Sequence, residues 1–130
     1  MGYKSGKIDL HIHSNASDGS LSPEQIISTA AAYGLAAISI TDHDTVDGVI
    51  AAQGQLIPKN LEFITGVEIS AEYPPGFKGA GSMHILGYGF DPKNPCLKEI
   101  LKNQQESRSN RNPRILEKLE KLGIFIRIED

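Results

Sequence analysis

Several features that would assign a protein to a functional class are missing from this 130-residue sequence. It has a single cysteine, Cys96, which excludes an intramolecular disulfide and fits a reducing compartment. The formal net charge is −3, so no basic surface is expected to attract nucleic acid or an anionic membrane. No apolar run approaches the roughly 20 residues of a membrane span, and the N-terminus lacks a hydrophobic signal core. A cytoplasmic protein is therefore expected.

The order of apolar runs predicts an α/β fold. The length allows one domain at most and is below the roughly 250 residues of a full eight-stranded α/β barrel. A helix is expected between Ser22, which can cap it with Gln25 in a capping box, and Gly34. A second helix is expected over 46–57. Because these helices alternate with the first three apolar runs, the first three strands should be parallel with crossover helices. The predicted strands are residues 7–13, 36–40, 63–69 and 83–88.

The pattern changes after the fourth strand. Helical spacing of Leu and Ile extends over 97–122, where Pro113 is expected to kink or divide the helix. Gly123 should end it, and 124–128 is a candidate fifth strand. The arginines and lysines of this helix can form a solvated face or contact phosphate. The Gly- and Pro-rich segment 71–82 can be a plain connector or part of a binding-site rim.

The most informative stretch is the first strand. Side chains in a strand alternate between faces, so Asp9, His11 and His13 are expected on one face and Leu10 and Ile12 on the other. Asp18, in a Ser/Asn/Asp/Gly turn, can fold back over the histidines, although with Gly19 it could simply build the turn. Two histidines near carboxylates are a ready-made site for Zn, Mn or Fe.

The later strands repeat this arrangement. His43 lies between Asp42 and Asp44 directly after the second strand, Glu68 is in the third, and His84 is near the start of the fourth. Ligand sites of α/β folds gather at the carboxyl ends of parallel strands. The side chains expected to meet there are His11, His13, Asp18, Asp42, His43, Asp44 and Glu68. Clustered carboxylates would repel one another, and bound cations are the simplest compensation.

Some of these residues have other interpretations. Asp42 and Asp44 are assigned, with Asp9, to orienting the site rather than to binding metal directly. Asp44 or Thr45 could instead cap the next helix. His84 could be a satisfied core histidine, and Glu72 is interpreted as a surface residue. The sequence shows no Ser or Cys nucleophile motif. Paired metals that lower the pKa of a water molecule would supply a hydroxide for in-line attack on phosphorus.

Four segments together resemble the polymerase and histidinol phosphatase (PHP) superfamily. They are Asp9-Leu10-His11-Ile12-His13-Ser14 with Ser17-Asp18-Gly19, Thr41-Asp42-His43-Asp44, Gly66-Val67-Glu68-Ile69-Ser70 and Met83-His84-Ile85-Leu86-Gly87-Tyr88. Within the superfamily they are most similar to stand-alone bacterial enzymes that remove phosphate from nucleoside 3′,5′-bisphosphates and trim short oligonucleotides from the 5′ end. The helical region 97–122 resembles an insertion in those enzymes.

The resemblance implies a fold, a metal centre and a substrate class. The fold would be the N-terminal portion of a distorted (β/α)7 PHP-type barrel, with residues 1–92 as half of the domain and 93–130 as the start of a helical insertion. The site would hold up to three divalent ions of Mn, Fe or Zn. The substrate would be a phosphate ester, such as a nucleoside bisphosphate or a short oligonucleotide. The implied metal ligands are His11, His13, Asp18, His43, Glu68 and His84.

The family pattern is incomplete in this sequence. The family completes its site with a later histidine and an Asp-x-His pair, but the sequence has four histidines in all and none after His84. We therefore expect the N-terminal part of a longer protein, whose open sheet edges would favour self-association. The alternatives are a metal-binding unit without turnover, a histidinol-phosphatase-like member, or the exonuclease-type module of a DNA polymerase.

Overall fold

The computed structural model describes residues 6–77 and 81–126 of the chain. These residues contain four strands and three helices. The strands form one sheet in the order β1-β2-β3-β4, with β1, β2 and β3 parallel and β4 antiparallel to β3. The α/β class and the parallel first three strands are confirmed. The elements are β1 (Ile8–Ile12), α1 (Pro23–Ala32), β2 (Ala37–Ile40), α2 (Asp47–Gln53), β3 (Glu62–Ala71), β4 (Met83–Tyr88) and α3 (Pro95–Lys121).

The ends of α1 follow the predicted capping chemistry. The Ser22 side chain accepts a hydrogen bond from the Gln25 backbone, and the Gln25 side chain accepts one from the Ser22 backbone. Pro23 takes the first helical position, where its missing N–H costs nothing. Gly34 follows the C-cap with φ +69°, a left-handed conformation that glycine adopts without strain.

Helix α2 is shorter than predicted. It ends at Gln53 rather than near Ile57, with Gly54 as the C-cap. In the segment beyond the helix, Leu56 is 98% exposed and Ile57 packs against the buried core. At the other end, the hydroxyl of Thr45 accepts a hydrogen bond from the Asp47 amide at 3.2 Å. The N-cap position itself is Val46, which makes no side-chain capping bond, so the prediction that Asp44 or Thr45 caps this helix is wrong.

Helix α3 begins at Pro95, where the Asn94 side chain accepts hydrogen bonds from the Cys96 and Leu97 amides. The prediction that Pro113 could divide the helix is wrong, because one continuous helix extends through it. Residues 124–126 are not in a strand, and 127–128, the rest of that predicted strand, lie outside the described residues. No helix of the described part of the chain is long and apolar enough to cross a membrane. The cytoplasmic location stays a prediction.

The helices cover one face of the sheet. Ile38 and Ile40 of β2 are fully buried against α1 and α2, in a cluster that includes Ile26 and Val49. Farther along β3, Val67 packs with Leu101 of α3 and with Val46 in a second cluster. Because side chains alternate along a strand, the neighbours of these apolar residues, such as Ser39 and Glu68, lie on the opposite face. That face carries the polar site.

The pairing of β1 with β2 is irregular, and this moves Asp9. Asp9 pairs with Ile38 and Ile12 pairs with Ile40, so three steps on β1 correspond to two on β2. Such a bulge interrupts the alternation of faces. Asp9 consequently lines a hollow with Ile12 on the helix-covered side, and its carboxylate accepts a hydrogen bond from the His11 amide at 3.2 Å. The prediction that Asp9 shares a face with His11 and His13 is wrong.

Candidate metal centre

The carboxylate of Glu68 lies among all four histidines of the chain. Its Oε2 atom is 3.0 Å from Nε2 of His11 and 3.0 Å from Nε2 of His13. The same oxygen is 3.6 Å from Nδ1 of His43, and Oε1 is 3.5 Å from Nδ1 of His84. Glu68 is 7% exposed. One buried carboxylate therefore offers two oxygens to ring nitrogens that come from three other segments of the chain.

Three overlapping groups of side chains place their ligand atoms within 4.8 Å of one another. Each pair of groups shares one residue, which is His13, Glu68 or His43. A neutral imidazole has one free lone pair, so each histidine can bind only one cation in that form. A carboxylate can bridge two cations. Two groups can therefore use Glu68 at the same time, whereas the groups that share His13 or His43 compete for that histidine. The groups are His11, His13 and Glu68; His13, Asp18 and His43; and His43, Glu68 and His84.

The distances in the first group fit ligands of a common cation. The Nε2 atoms of His11 and His13 are 3.1 Å apart, and each is 3.0 Å from Glu68 Oε2. Ligand atoms at right angles around an ion, each about 2.1 Å from it, would be about 3.0 Å apart. Carboxylate and imidazole donors without thiolates suit Zn, Mn and Fe alike.

Unpartnered ring nitrogens give a second sign of a cation site. The Nδ1 atoms of His13, His43 and His84 are buried and have no hydrogen-bond partner among the described residues. The contact of His13 Nδ1 with Asp18 Oδ1 is short, at 3.1 Å, but it lacks hydrogen-bond geometry. Buried polar atoms without partners are costly, and a bound cation would satisfy lone pairs of this kind. The donor set therefore fits divalent metal ions.

The local potential keeps Glu68 ionised. Burial by itself raises the pKa of this carboxyl group, but the hydrogen bond with His11 and the electrostatic interactions with the His43, His11 and His13 rings lower it. The net result is a pKa below the ordinary value of 4.5. Glu68 is thus a carboxylate at neutral pH, the form that can bind a cation.

Asp42 fixes the loop that follows β1. It is fully buried, and its Oδ1 atom accepts hydrogen bonds from the Ser14 amide and the Ser17 hydroxyl, both at 2.7 Å. Its Oδ2 atom accepts from the Ser14 hydroxyl at 2.6 Å. Because this loop carries His13 at its start and Asp18 near its end, Asp42 orients two predicted ligands through the backbone rather than through the His43 ring.

Asp44 fixes the end of β3 in a similar way. Its carboxylate accepts hydrogen bonds from the amide and the hydroxyl of Ser70, both at 2.7 Å, and forms an ion pair with Arg108 of α3. Ser70 lies two residues after Glu68. Asp44 therefore joins the segment that carries His43 to the segment that carries Glu68. The orienting roles of Asp42 and Asp44 stay predictions, which these contacts favour.

Two other predicted ligands are at the rim of the site. The Oδ2 atom of Asp18 is 3.6 Å from Nε2 of His43. His84 accompanies Glu68, and its Nε2 atom is 2.9 Å from the Ser82 hydroxyl, which can fix the ring orientation. His84 is partly exposed and its Nδ1 atom has no hydrogen-bond partner among the described residues, so it is not a satisfied core histidine. Glu72 is exposed, as expected for a surface residue.

The structure adds residues that the sequence did not single out. Ser14 and Ser17 bond to Asp42, and Ser70 bonds to Asp44. All three serines are in the motifs quoted above, so their position next to predicted ligands was an available signal. Arg108 and Gln105 are far from those motifs along the chain, and the Leu and Ile spacing of α3 says nothing about their partners.

Comparisons with known proteins agree with this arrangement. The chain matches the model of the PHP domain over residues 9–121. It is 42% identical over 118 residues to a 5′-3′ exoribonuclease of Haemophilus influenzae, which covers 91% of this chain and 41% of that protein. It is 38% identical over 117 residues to a 3′,5′-nucleoside bisphosphate phosphatase of Chromobacterium violaceum, which covers 90% of this chain and 39% of that protein.

A solved structure shares both fold and sequence with the chain. A crystal structure described as a candidate metal-dependent phosphoesterase of Bifidobacterium adolescentis matches with a TM-score of 0.75 and 29% identity, covering 90% of this chain and 39% of that one. The chain spans about two-fifths of the length of the curated relatives named here. Since the PHP-domain model matches most of its residues, and the relatives agree, the chain belongs to the PHP-domain family.

Proposed function

We propose that the chain is part of a metal-dependent phosphoesterase that hydrolyses a phosphate ester of a nucleotide or another small molecule. The observation that carries the proposal is the position of the Glu68 carboxylate, within 3.6 Å of ring nitrogens of all four histidines. The Glu68 carboxylate lies between the His11 and His13 rings on one side and the His43 and His84 rings on the other. This arrangement suits two neighbouring cations. Paired cations are the usual apparatus of phosphoester hydrolysis.

The proposed metal ligands come from four segments that the sheet brings together. When bound, divalent cations would polarise a phosphoryl oxygen and lower the pKa of water. Mn, Fe and Zn all suit these donors, and a centre of three ions would require ligands beyond these six side chains, because the groups compete for His13 and His43. The ligands are His11, His13, Asp18, His43, Glu68 and His84.

The relatives suggest a substrate for the whole protein. One is named for action on nucleoside 3′,5′-bisphosphates and the other as a 5′-3′ exoribonuclease. We therefore propose a nucleoside bisphosphate or a short oligonucleotide as substrate. The proposal includes a distorted (β/α)7 barrel, to which residues 1–92 would contribute one half and 93–130 the start of a helical insertion.

The test combines metal content with phosphate release. The chain is loaded separately with Mn²⁺, Fe²⁺ and Zn²⁺, and bound metal is counted by mass spectrometry for the wild type and for His13→Ala and His43→Ala. At least one equivalent in the wild type, reduced in both variants, is expected. Phosphate release from adenosine 3′,5′-bisphosphate is then compared with release from adenosine 5′-monophosphate.

An exposed carboxylate variant on α1, Glu24→Gln, serves as the control and should keep the wild-type metal content. A wild-type chain that binds no metal under saturating conditions would contradict the proposed centre. Metal binding without phosphate release would instead support the metal-binding unit without turnover as the function of these 130 residues.

A further inference from the structure

Asp44 is a buried carboxylate in an unusual backbone conformation. It is 1% exposed, and its φ of +53° makes it the one non-glycine residue with positive φ in residues 6–77 and 81–126. The left-handed region is disfavoured for residues with a Cβ, although aspartate tolerates it better than most. Strain of this kind persists where surrounding contacts hold the residue in place, and it is common at functional sites.

Two kinds of contact hold Asp44. The first kind comes from β3, because the Asp44 amide donates to the Glu68 carbonyl at 2.9 Å and its carboxylate accepts two bonds from Ser70. The second kind comes from α3. The side-chain amide of Gln105 donates to the Asp44 carbonyl at 2.9 Å, and Nε of Arg108 is 2.9 Å from Oδ2 of Asp44.

Arg108 makes a forked contact that joins α3 to both metal-binding segments. While Nε contacts Asp44, the Nη2 atom donates to the Ser70 hydroxyl at 2.6 Å. Asp44 is adjacent to His43, and Ser70 is two residues from Glu68. A planar guanidinium can contact both partners at once, whereas the point charge of a lysine ammonium cannot reproduce the fork.

The surroundings of Arg108 also connect it to the candidate metal centre. It lines a hollow of about 720 Å³ together with His84, and a second hollow of about 400 Å³ together with Asp18 and His43. The Arg108 side chain is 47% exposed while its partner Asp44 is not. The guanidinium therefore covers the buried Asp44 carboxylate and lies between the two hollows. Both hollows are also lined by predicted metal ligands.

We propose that Arg108 is a positioning residue for the metal centre, through which the docking of α3 sets the positions of His43 and Glu68. The inference rests on the proposed function, because it assumes that the site binds metal. The contacts of Arg108 with Asp44 and Ser70 do not depend on that assumption. Without Arg108, the Asp44 carboxylate loses the positive charge that offsets its burial. One of the contacts that hold Asp44 in the left-handed conformation is then missing, and the segments that carry His43 and Glu68 move apart.

The first test is the affinity for Mn²⁺ alone, measured by calorimetric titration of the whole chain. Loss of a group that orients metal ligands typically weakens metal binding by 10- to 100-fold, so Arg108→Ala should weaken Mn²⁺ binding by about tenfold or more. Arg108→Lys should recover only part of the loss. In an Asp44→Asn background, Arg108→Ala should have little further effect, since the two residues act as a unit.

The matched control is Lys102→Ala on the same helix. Lys102 is exposed and paired at 3.8 Å with Glu106 of its own helix, so its removal changes α3 without touching Asp44. It should leave the Mn²⁺ affinity unchanged. If Arg108→Ala lowers the melting temperature but leaves the Mn²⁺ affinity of the folded protein at the wild-type value, the ion pair is merely structural and the proposal is overturned.

A second measurement separates this inference from the proposed function. In the metal-free protein, Arg108→Ala should move the NMR signals of the His43 ring and the Ser70 amide, and should speed hydrogen exchange at the Asp44 amide by at least tenfold. Unchanged signals and exchange overturn the positioning role. A wild-type chain that binds no Mn²⁺ but shows these changes counts against the proposed metal centre and leaves the positioning role supported.

Discussion

The hydroxyl of Tyr88 donates a 2.8 Å hydrogen bond to the backbone carbonyl of Leu10. These residues lie on β4 and β1, the two outermost strands of a sheet whose order is β1-β2-β3-β4. A flat sheet would keep its edges apart, so this contact requires the sheet to curl until they approach. Leu10 is within the irregular part of the β1–β2 pairing, between Asp9 and Ile12. The hydrogen bond between the two outer strands therefore reaches β1 at its bulge.

Removing this hydroxyl should destabilise the fold slightly. Tyr88→Phe deletes the bond to Leu10 without a change of shape, and the expected loss is about 0.5–1.5 kcal/mol in the free energy of unfolding. Urea denaturation followed by circular dichroism measures it. Tyr33→Phe, on an 81% exposed side chain, is the control and should have no effect. Equal stabilities for the two variants would show that the Tyr88 bond does not hold the edges together.

Replacing the central carboxylate should remove most metal binding. Glu68→Gln keeps the size of the side chain but removes the negative charge from two of the three ligand groups. We expect the bound metal per chain to fall to less than half of the wild-type value, measured by mass spectrometry after dialysis. Glu72→Gln, on an exposed residue four positions later, should keep the wild-type content. Retention of full metal content by Glu68→Gln would contradict the bridging role.

The buried carboxylate of Asp42 should be needed for stability. In Asp42→Asn, one of the two oxygens becomes an NH₂ group, so the Ser14 amide and the hydroxyls of Ser14 and Ser17 no longer all find an acceptor. Hydrogen bonds to a charged group contribute about 1.5–3 kcal/mol each, and we expect a loss of at least about 2 kcal/mol. Thermal unfolding measures this loss. Asp47→Asn, on an exposed residue of the same segment, should cost less than about 1 kcal/mol.

Two glycines of the α2 region offer a matched pair. A Cβ atom at Gly48 would overlap with the Asp42 carboxylate and would lie 2.6 Å from the Ser14 hydroxyl, whereas at Gly54 the nearest atom would be the Ala51 carbonyl at 3.4 Å. Gly48→Ala should therefore destabilise the protein by about 1–3 kcal/mol through overpacking. Gly54→Ala should have little effect. Chemical denaturation of both variants decides, and similar stabilities would contradict the close approach at Gly48.

Local chemistry made much of the fold predictable. The capping box of Ser22 and Gln25 and the glycine at position 34 define α1 by contacts within a few residues. The alternation of β-branched runs with helices implied the parallel pairing of the first three strands. His11, His13 and His43 were predicted from their positions in or directly after apolar strands, since parallel strands bring such positions to one edge. The ligand roles of Glu68 and His84 rested on the resemblance to the PHP superfamily.

Other features depend on contacts that no local pattern contains. The direction of β4 is set by its pairing with the second half of β3, and the turn between them has no sequence signature that fixes it. The shift of Asp9 to the helix-covered side follows from an irregularity in β-sheet register. Arg108 and Asp44 are 64 positions apart, and a mildly basic helix gives no indication of which arginine will meet a buried carboxylate.

The sharing of Glu68 by two ligand groups has a thermodynamic consequence. Cations that use one carboxylate cannot bind independently, because the first ion fixes the carboxylate rotamer and places its own charge close to the second ion. A fixed carboxylate rotamer would favour binding of the second ion, whereas the charge of the first ion would oppose it. By linkage, each ion must change the affinity of the other by the same factor. Stepwise binding constants of this protein would therefore describe the pair of ions, and neither could be assigned to a single group of side chains.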